Sequence, residues 1–538
     1  MHTARAVGYH GVSSSGYHGV SGPFHRDPCG LGSLPIGIEQ TQALRTRERP
    51  LDARSNQPDS RSSNSQFSRP EDRPLTRREE IDWLRRAANE GDVDAQFDLG
   101  CAYADGDGVP QSYNTAYRWF ERAAGNGDVE AMTAVGYCLL NGEGVDEDQA
   151  EAVRWFEKAR DAGDNDAPRY LASCTLYGEG LPQDVEAGLN QALEGWETTQ
   201  DVEYAHLIAC AHNDLLGDDV QALEWHQRAA DLGHDESMVW MGYYTRYGIG
   251  VERNLRAAFR WYKRAADEGN DAGMANLAIC FHNGEGVKTD PVLAFEWRER
   301  AAAMGHTESR IWLAVCLLHG TGCDADPAAA IRNLEELADE DPGASLMLGE
   351  KYYYGEVVDR DAVKAVSWFQ RAADENIPEA WTFLGVCAWN GEGRDRDRKG
   401  ALELYRRGAD LGDSHALYNL ALAYRGGEVV EEDLTRSDQL LEQAAMSGNG
   451  PAAVLLAERH IEGDGVPKDP ALGVTYLQPA VDDEDPDALY LMAECLRDGV
   501  GVPINVERAF ALFELANIQG RDARVELGQL RRLMRDDD

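Results

Sequence analysis

The chain has little lysine, no long apolar run and no Cys-x-x-Cys pair, and each lack narrows what it can do. Lysine numbers 7 against 45 arginines, and a net charge of -43 follows from 95 acidic and 52 basic residues. Residues 1–80 hold 11 basic and 9 acidic residues, so the remainder, with 41 against 86, carries -45. Such a field repels nucleic acid phosphates and anionic lipid, and favours basic partners, cations or simple solubility. No stretch approaches the ~20 uninterrupted apolar residues of a membrane-spanning helix, so no membrane insertion is expected. The opening residues, MHTARAVGYHGVSSSGYHGVSG, break every short apolar run with glycine, serine or histidine and so lack the core of a secretory signal.

Motifs that carry chemistry are missing as well. The Gly-x-Gly pairs, such as Gly106 with Gly108 and Gly284 with Gly286, are not followed by Gly-Lys-Ser/Thr and do not extend to a dinucleotide fingerprint, which leaves them as turns. Asp105 to Gly108 has the look of a calcium loop, but Val109 occupies the next ligand place and no glutamate arrives at the spacing required. No His-Glu-x-x-His or Gly-x-Ser-x-Gly is present. These readings predict no enzyme, no cofactor and no metal. His234 and His306, in the corresponding turns LGHDES and MGHTES, are expected to be solvent-exposed polar residues.

What the chain does have is a period. Trp83, Trp119 and Trp155 are spaced by 36 residues, Trp225, Trp261 and Trp297 by 36 again, and Trp368 falls 71 further on. A regular period of this size is the mark of a solenoid. Aligned on it, one half-unit reads AQFDLGCAYADGDGV from Ala95, AMTAVGYCLLNGEGV from Ala131 and GMANLAICFHNGEGV from Gly273. The other reads AYRWFERAAGNGDVEA from Ala116, AVRWFEKARDAGDNDA from Ala152 and AVSWFQRAADENIPEA from Ala365. Both carry apolar residues at i, i+3, i+4 and i+7, the helical period.

Each unit is thus a first helix, a Gly-x-Gly loop, a second helix and a short turn. Alanine and glycine let neighbouring helices approach to ~8–10 Å, while leucine and the Trp-Phe or Trp-Tyr pair fill the space. First helices start at Ala95, Ala131, Ala167, Glu203, Ser237, Gly273, Ser309, Ala344, Ala380, Ala416, Ala452 and Ala488, twelve complete units. A lone second-type helix around Trp83 and a lone first-type helix from Asp522 flank them as caps. At 538 residues the chain is too long for one ordinary core, and the repeats make it an all-α array.

The pattern of Ala, Leu-Gly, Gly-x-Gly-Val, then Ala-x-x-Trp-Phe and Ala-Ala resembles the Sel1-like repeat, a relative of the tetratricopeptide repeat, over residues 77–538. The resemblance implies a right-handed α-solenoid over 76–538 and the work of a scaffold or adaptor. It also implies that first helices line the concave face, with the residues six, nine and ten places after each start pointing into it. Those residues include Tyr137, Asn141, Tyr243, Arg246, Tyr247, His282, Asn283, Tyr353, Tyr354, Trp389 and Asn390. Aromatics interleaved with amides suit a protein or peptide partner. Two other readings stand beside this one: a regulatory subunit of a membrane-associated complex, and an enzyme without a recognisable motif.

Departures from the pattern are local. The unit at Glu203 has no Gly-x-Gly, its loop contracts to ACAHNDLLGDD, and Trp196 lies off the tryptophan register, so Ala187 to Asp219 is expected to be irregular. The unit at Ala416 carries RGGEVVEEDL as its loop. Seven cysteines, Cys138, Cys174, Cys210, Cys280, Cys316, Cys387 and Cys495, share one place in the first helix. Equivalent places on adjacent first helices lie ~8–10 Å apart, beyond the ~7 Å a disulfide spans, so they read as small buried residues. A reducing, cytoplasmic compartment is the expectation. Cys29, Cys101 and Cys323 stand alone. Residues 1–75, with the duplication GYHGVSSSGYHGVSG and the stretch SNQPDSRSSNSQFSRPEDRP, have the composition of a disordered tail. It reads either as a bare extension or as an arm whose arginines, Arg45 to Arg78, dock on the acidic array.

Overall fold

The computed structural model describes residues 76–536. Among the described residues are twenty-six α-helices and no strand, divided into two compact units whose boundary in sequence falls between His306 and Thr307. Within each unit a first-type helix packs most extensively on the second-type helix that follows it. The two flanking helices are there, Arg77–Glu90 at one end and Arg524–Asp536 at the other. The tail and Cys29 lie outside the described residues.

Short polar residues begin the helices. Asp92, Asp128, Asn270, Asp341, Asp413, Asn449 and Asp485 each accept a backbone N–H at the start of a first-type helix. Asp148, Asp184, Asn254, Asp290, Asp361 and Asp397 do the same for second-type helices. A cap of this kind contributes roughly 1 kcal/mol. Part of the acidic excess is therefore spent on starting helices.

Packing between the two helices of a unit is set by matched volumes. A Cβ on Gly100, Gly136, Gly242, Gly349 or Gly385 would fall 2.4–2.6 Å from the ring of Phe120, Phe156, Tyr262, Phe369 or Tyr405 respectively. Glycine is thus the seat of the aromatic ring. Where alanine holds that place, as Ala172, Ala421 and Ala457 do, the same register brings Ala192, Leu441 and Leu477, all fully buried. Ala493, which precedes Phe513, departs from the rule.

The loops fasten one unit to the next. A Cβ on the second loop glycine, Gly393, would lie 2.0 Å from the carbonyl oxygen of Ala362, at the start of the preceding second-type helix. A Cβ on Gly180, Gly286 or Gly501 would likewise fall within 2.2 Å of the carbonyl oxygen of Gln149, Leu255 or Pro470 respectively. The tryptophan period has its own cause: Trp155, Trp225, Trp261 and Trp297 each lie under the cation three residues on, Lys158, Arg228, Arg264 and Arg300, at 4.2–4.6 Å. The Arg264 guanidinium also donates to the Ala230 carbonyl of the preceding second-type helix at 3.1 Å, which joins two repeats.

The unit at Glu203 is irregular, as its sequence implies. Its second helix neighbour, Val185–Thr199, runs to 15 residues, and Val202–Ala211 stops after 10. In place of the glycine loop comes a π-helical turn, His212–Leu216, which ends on Gly217. The Tyr244 and Tyr177 hydroxyls hold that turn by donating to Asn213 and Asp214 at 3.2 and 3.3 Å.

Candidate functional site

The expected face divides by unit. In the first, Tyr243 and Tyr247 adjoin on helix Asp235–Tyr247, ring centroids 4.8 Å apart, and Tyr247 is 45% exposed. Arg246, between them in sequence, lies over the Tyr247 ring at 5.3 Å and pairs with Glu285 of the next repeat's loop at 2.7 Å. Asn283 donates to the same carboxylate at 3.1 Å. His282 is half-buried; burial, with Arg298 nearby, pushes its pKa down. Asn141 turns back to donate to the Tyr137 carbonyl on its own helix.

In the second unit Tyr353 and Tyr354 meet edge to face at 5.1 Å, and both reach Phe383. Asn390 is exposed. Tyr137 and Trp389 are placed differently from the expectation, at 5% and 4% exposure in the core. Tyr137 turns its ring edge to Tyr170, and Trp389 belongs to the apolar cluster with Tyr405 and Leu420. Large rings at these places bury themselves between neighbouring first-type helices when the neighbour leaves room.

The shared cysteines behave as small buried residues. Burial pushes the Cys138, Cys174, Cys280 and Cys387 thiols up to about 12. None of the nine described cysteines is in a disulfide.

Sequence reasoning missed a second cluster, and the two turn histidines need correction. His234 and His306 are buried, not exposed. Each stands at the helix-capping place, which the stacked repeats cover: Asn270, Asp413 and Asn449 at that place are buried as well. His234 Nδ1 accepts the Ser237 N–H at 3.0 Å and so caps helix Asp235–Tyr247. The histidine ring of His206, on Val202–Ala211, stacks on it at 4.2 Å and 27°. His206 Nε2 is 3.3 Å from Glu236, and His234 Nε2 is 3.7 Å from Glu203. His206 Nδ1 and His226 Nδ1 both meet Ser237 Oγ, at 3.0 and 3.2 Å. His226 is fully buried, its ring lies flat on Trp240, and its Nε2 has no hydrogen-bond partner.

The register could have revealed this cluster. His234 stands where eight other first-type helices have Asp or Asn, and His226 follows Trp225 where Phe120 and Phe156 follow Trp119 and Trp155. Burial, aided by His206 and His234, drives the His226 pKa well below the ordinary histidine value. Once unfolded, the ring regains a pKa near ~6.5. The unfolded state therefore binds the extra proton, and the stability His226 allows above that pH is lost as pH falls below it. His226→Phe should flatten the acid side of the unfolding midpoint against pH, measured in urea; an unchanged slope would show that His226 does not set it.

Among the described residues no helix is long and apolar enough to cross a membrane. No curated protein matches the sequence. Among solved structures, the chain is similar to c5321, a protective antigen of uropathogenic Escherichia coli with an SLR fold: 24% identity, 85% of this chain and 91% of that one covered, TM-score 0.43. It is also similar to a Sel1 repeat protein of Oxalobacter formigenes, with 26% identity, 58% and 90% coverage and a TM-score of 0.40. Yeast Tom70 is similar at 14% identity, with 83% and 95% coverage and a TM-score of 0.36. The Sel1 repeat itself matches thirteen segments from 81–92 to 486–520, running on with short breaks except between 190 and 212, where the irregular unit lies. With so much of its length matched in phase, the chain belongs to the Sel1 repeat family.

Proposed function

We propose that this protein is a scaffold or adaptor that holds a protein or peptide on the face of its first-type helices. In the first unit the surface comprises Asn141, Tyr243, Arg246, Tyr247, His282 and Asn283; in the second, Tyr353, Tyr354 and Asn390. The observation that carries the reading is the patch made by Tyr243, Tyr247 and the Arg246–Glu285–Asn283 network. Two adjoining rings offer contact area that loses little entropy on binding, and Arg246 is already oriented by its carboxylate. An arrangement of this kind grips an extended segment by its side chains and leaves the amide of Asn283 for a backbone group. The strongly acidic chain favours a partner with basic residues beside that segment.

The family's repeats fit a scaffold. The test uses Tyr247→Ala with Asn283→Ala, two exposed positions whose loss leaves the core untouched. Partners captured by the full chain should bind the double variant about tenfold more weakly, as for a central contact of an interface. Unchanged affinity, with an unchanged circular dichroism spectrum, removes this face from consideration.

A further inference from the structure

The cluster of His206, His226 and His234 invites a metal reading, because His206, His234 and Glu236 each offer a ligand atom within 4.8 Å of the others. The hydrogen bonds speak against it. A histidine that ligates through one nitrogen ordinarily keeps a proton on the other and donates it. His234 Nδ1 accepts a backbone N–H, so its Nε2 must carry the ring's proton and has no lone pair to give. The three rings form a hydrogen-bonded group instead.

Its protons can be placed. Ser237 Oγ has one hydrogen for two rings. It donates to His206 Nδ1 and accepts from His226 Nδ1–H, which leaves His206 Nε2–H facing Glu236 and His226 Nε2 bare. A bare nitrogen is the less costly thing to bury without a partner. The His234 Nε2–H faces Glu203 on the preceding repeat. The first-type helices capped by Asp or Asn use a side-chain oxygen as the acceptor, whereas the imidazole nitrogen at His234 ceases to accept when it takes a proton.

We propose that His234 is a proton-operated cap: neutral, it caps helix Asp235–Tyr247; protonated, it releases the Ser237 N–H and is held by Glu203 of the preceding repeat. The second proton goes onto Nδ1, the atom at which the Ser237 N–H points. Both cannot occupy that space, so the cap opens. The charged groups facing the ring are Glu203, with Arg169 at 4.0 Å from the same carboxylate, and Asp235 and Glu236. His206 and His226 are the neighbouring rings, and Cys210 lies 3.5 Å from His206 Nε2. Burial opposes a charge on His234, but the hydrogen bond to Glu203 and the charges of Glu203, Glu236 and Asp235 prevail and raise its pKa. Burial also opposes ionisation of Glu203, yet His234, Arg169 and His206 bring it down to about 2, so the carboxylate is present throughout the range in which the histidine titrates. The two rings are stacked at 4.2 Å, so a charge on one disfavours a charge on the other.

The raised pKa fixes the sign for global stability. The His234–Glu203 pair contributes below the histidine's unfolded pKa and fades as pH rises through the folded one, so the total changes opposite to the cap. The signature is therefore local. Hydrogen exchange of the full chain, corrected for intrinsic rates, should show protection at the Ser237 amide falling about fivefold between about pH 8 and about pH 5.5, the worth of one cap. Gly273, capped by Asn270 in the same unit, serves as the internal control and should not move. His234→Asn, which supplies the acceptor used elsewhere in the array, should hold protection constant, and Glu203→Gln should shift the change to lower pH. Constant protection in the unaltered chain overturns the proposal, as does a fall that survives His234→Asn. Saturable uptake of one zinc ion, abolished by His206→Asn, also overturns it, because the ring nitrogens would then be ligands.

Discussion

Gly393→Ala lowers the stability of the unit that begins at Thr307 by about 3 kcal/mol. Two costs combine. Gly393 has φ +68°, a left-handed conformation that costs a side-chain-bearing residue roughly 1–2 kcal/mol. The new methyl would also fall 2.0 Å from the Ala362 carbonyl oxygen, and backbone does not yield as a side chain does. Forcing the loop away costs roughly another 1–3 kcal/mol, the usual range for overpacking. Gly412→Ala is the matched control, since Gly412 is also left-handed at φ +94° but nothing lies within 4 Å of its Cβ position. That substitution should cost about 1–2 kcal/mol, the conformational part alone. Urea unfolding of both variants measures the difference. Equal losses would mean that the loop does not fasten the repeats.

Asp438→Ala should cost about 3 kcal/mol for a different reason. Arg459 occupies the place that cysteine holds in seven other repeats, and it is 4% exposed. Its guanidinium pairs with both oxygens of Asp438, one at 3.3 Å, and its Nε donates to the Asp464 carbonyl at 3.2 Å. Removing the carboxylate strands a buried cation, which costs roughly 3–5 kcal/mol; Asp438 keeps a quarter of its surface in water, which puts the loss at the lower end. The repeats themselves supply the rescue. Arg459→Cys restores the residue of the sister units, and in the Asp438→Ala background it should recover all but about 1 kcal/mol. A double variant no more stable than the single one would show that the carboxylate, not the stranded cation, matters.

The array was legible because its constraints are local and repeated. Spacing of 36 between tryptophans, glycine pairs after each first helix and the apolar period of both halves say helix, loop, helix without reference to anything distant. The irregular unit was legible for the same reason, since the absence of Gly-x-Gly before Gly217 leaves a helix with no ordinary place to stop. The site was less so. Tyr137 and Tyr243 share a place in the repeat, yet one is buried against Tyr170 and the other stands beside Tyr247. Sequence register gives the direction of a side chain from its own helix, and the neighbouring repeat decides how far it is covered.

By itself, then, the sequence determined the all-α class, the helix pairs, the flanking helices, the small buried cysteines and the position of the irregular unit, because each rests on period and residue type within one repeat. Only the tertiary structure decided that His234 and His306 are covered and that His206, His226 and His234 gather on Ser237. Those contacts join residues up to 31 apart across stacked helices. Whether a polar side chain meets water or another ring there depends on the volume left by its neighbours, which no single repeat encodes.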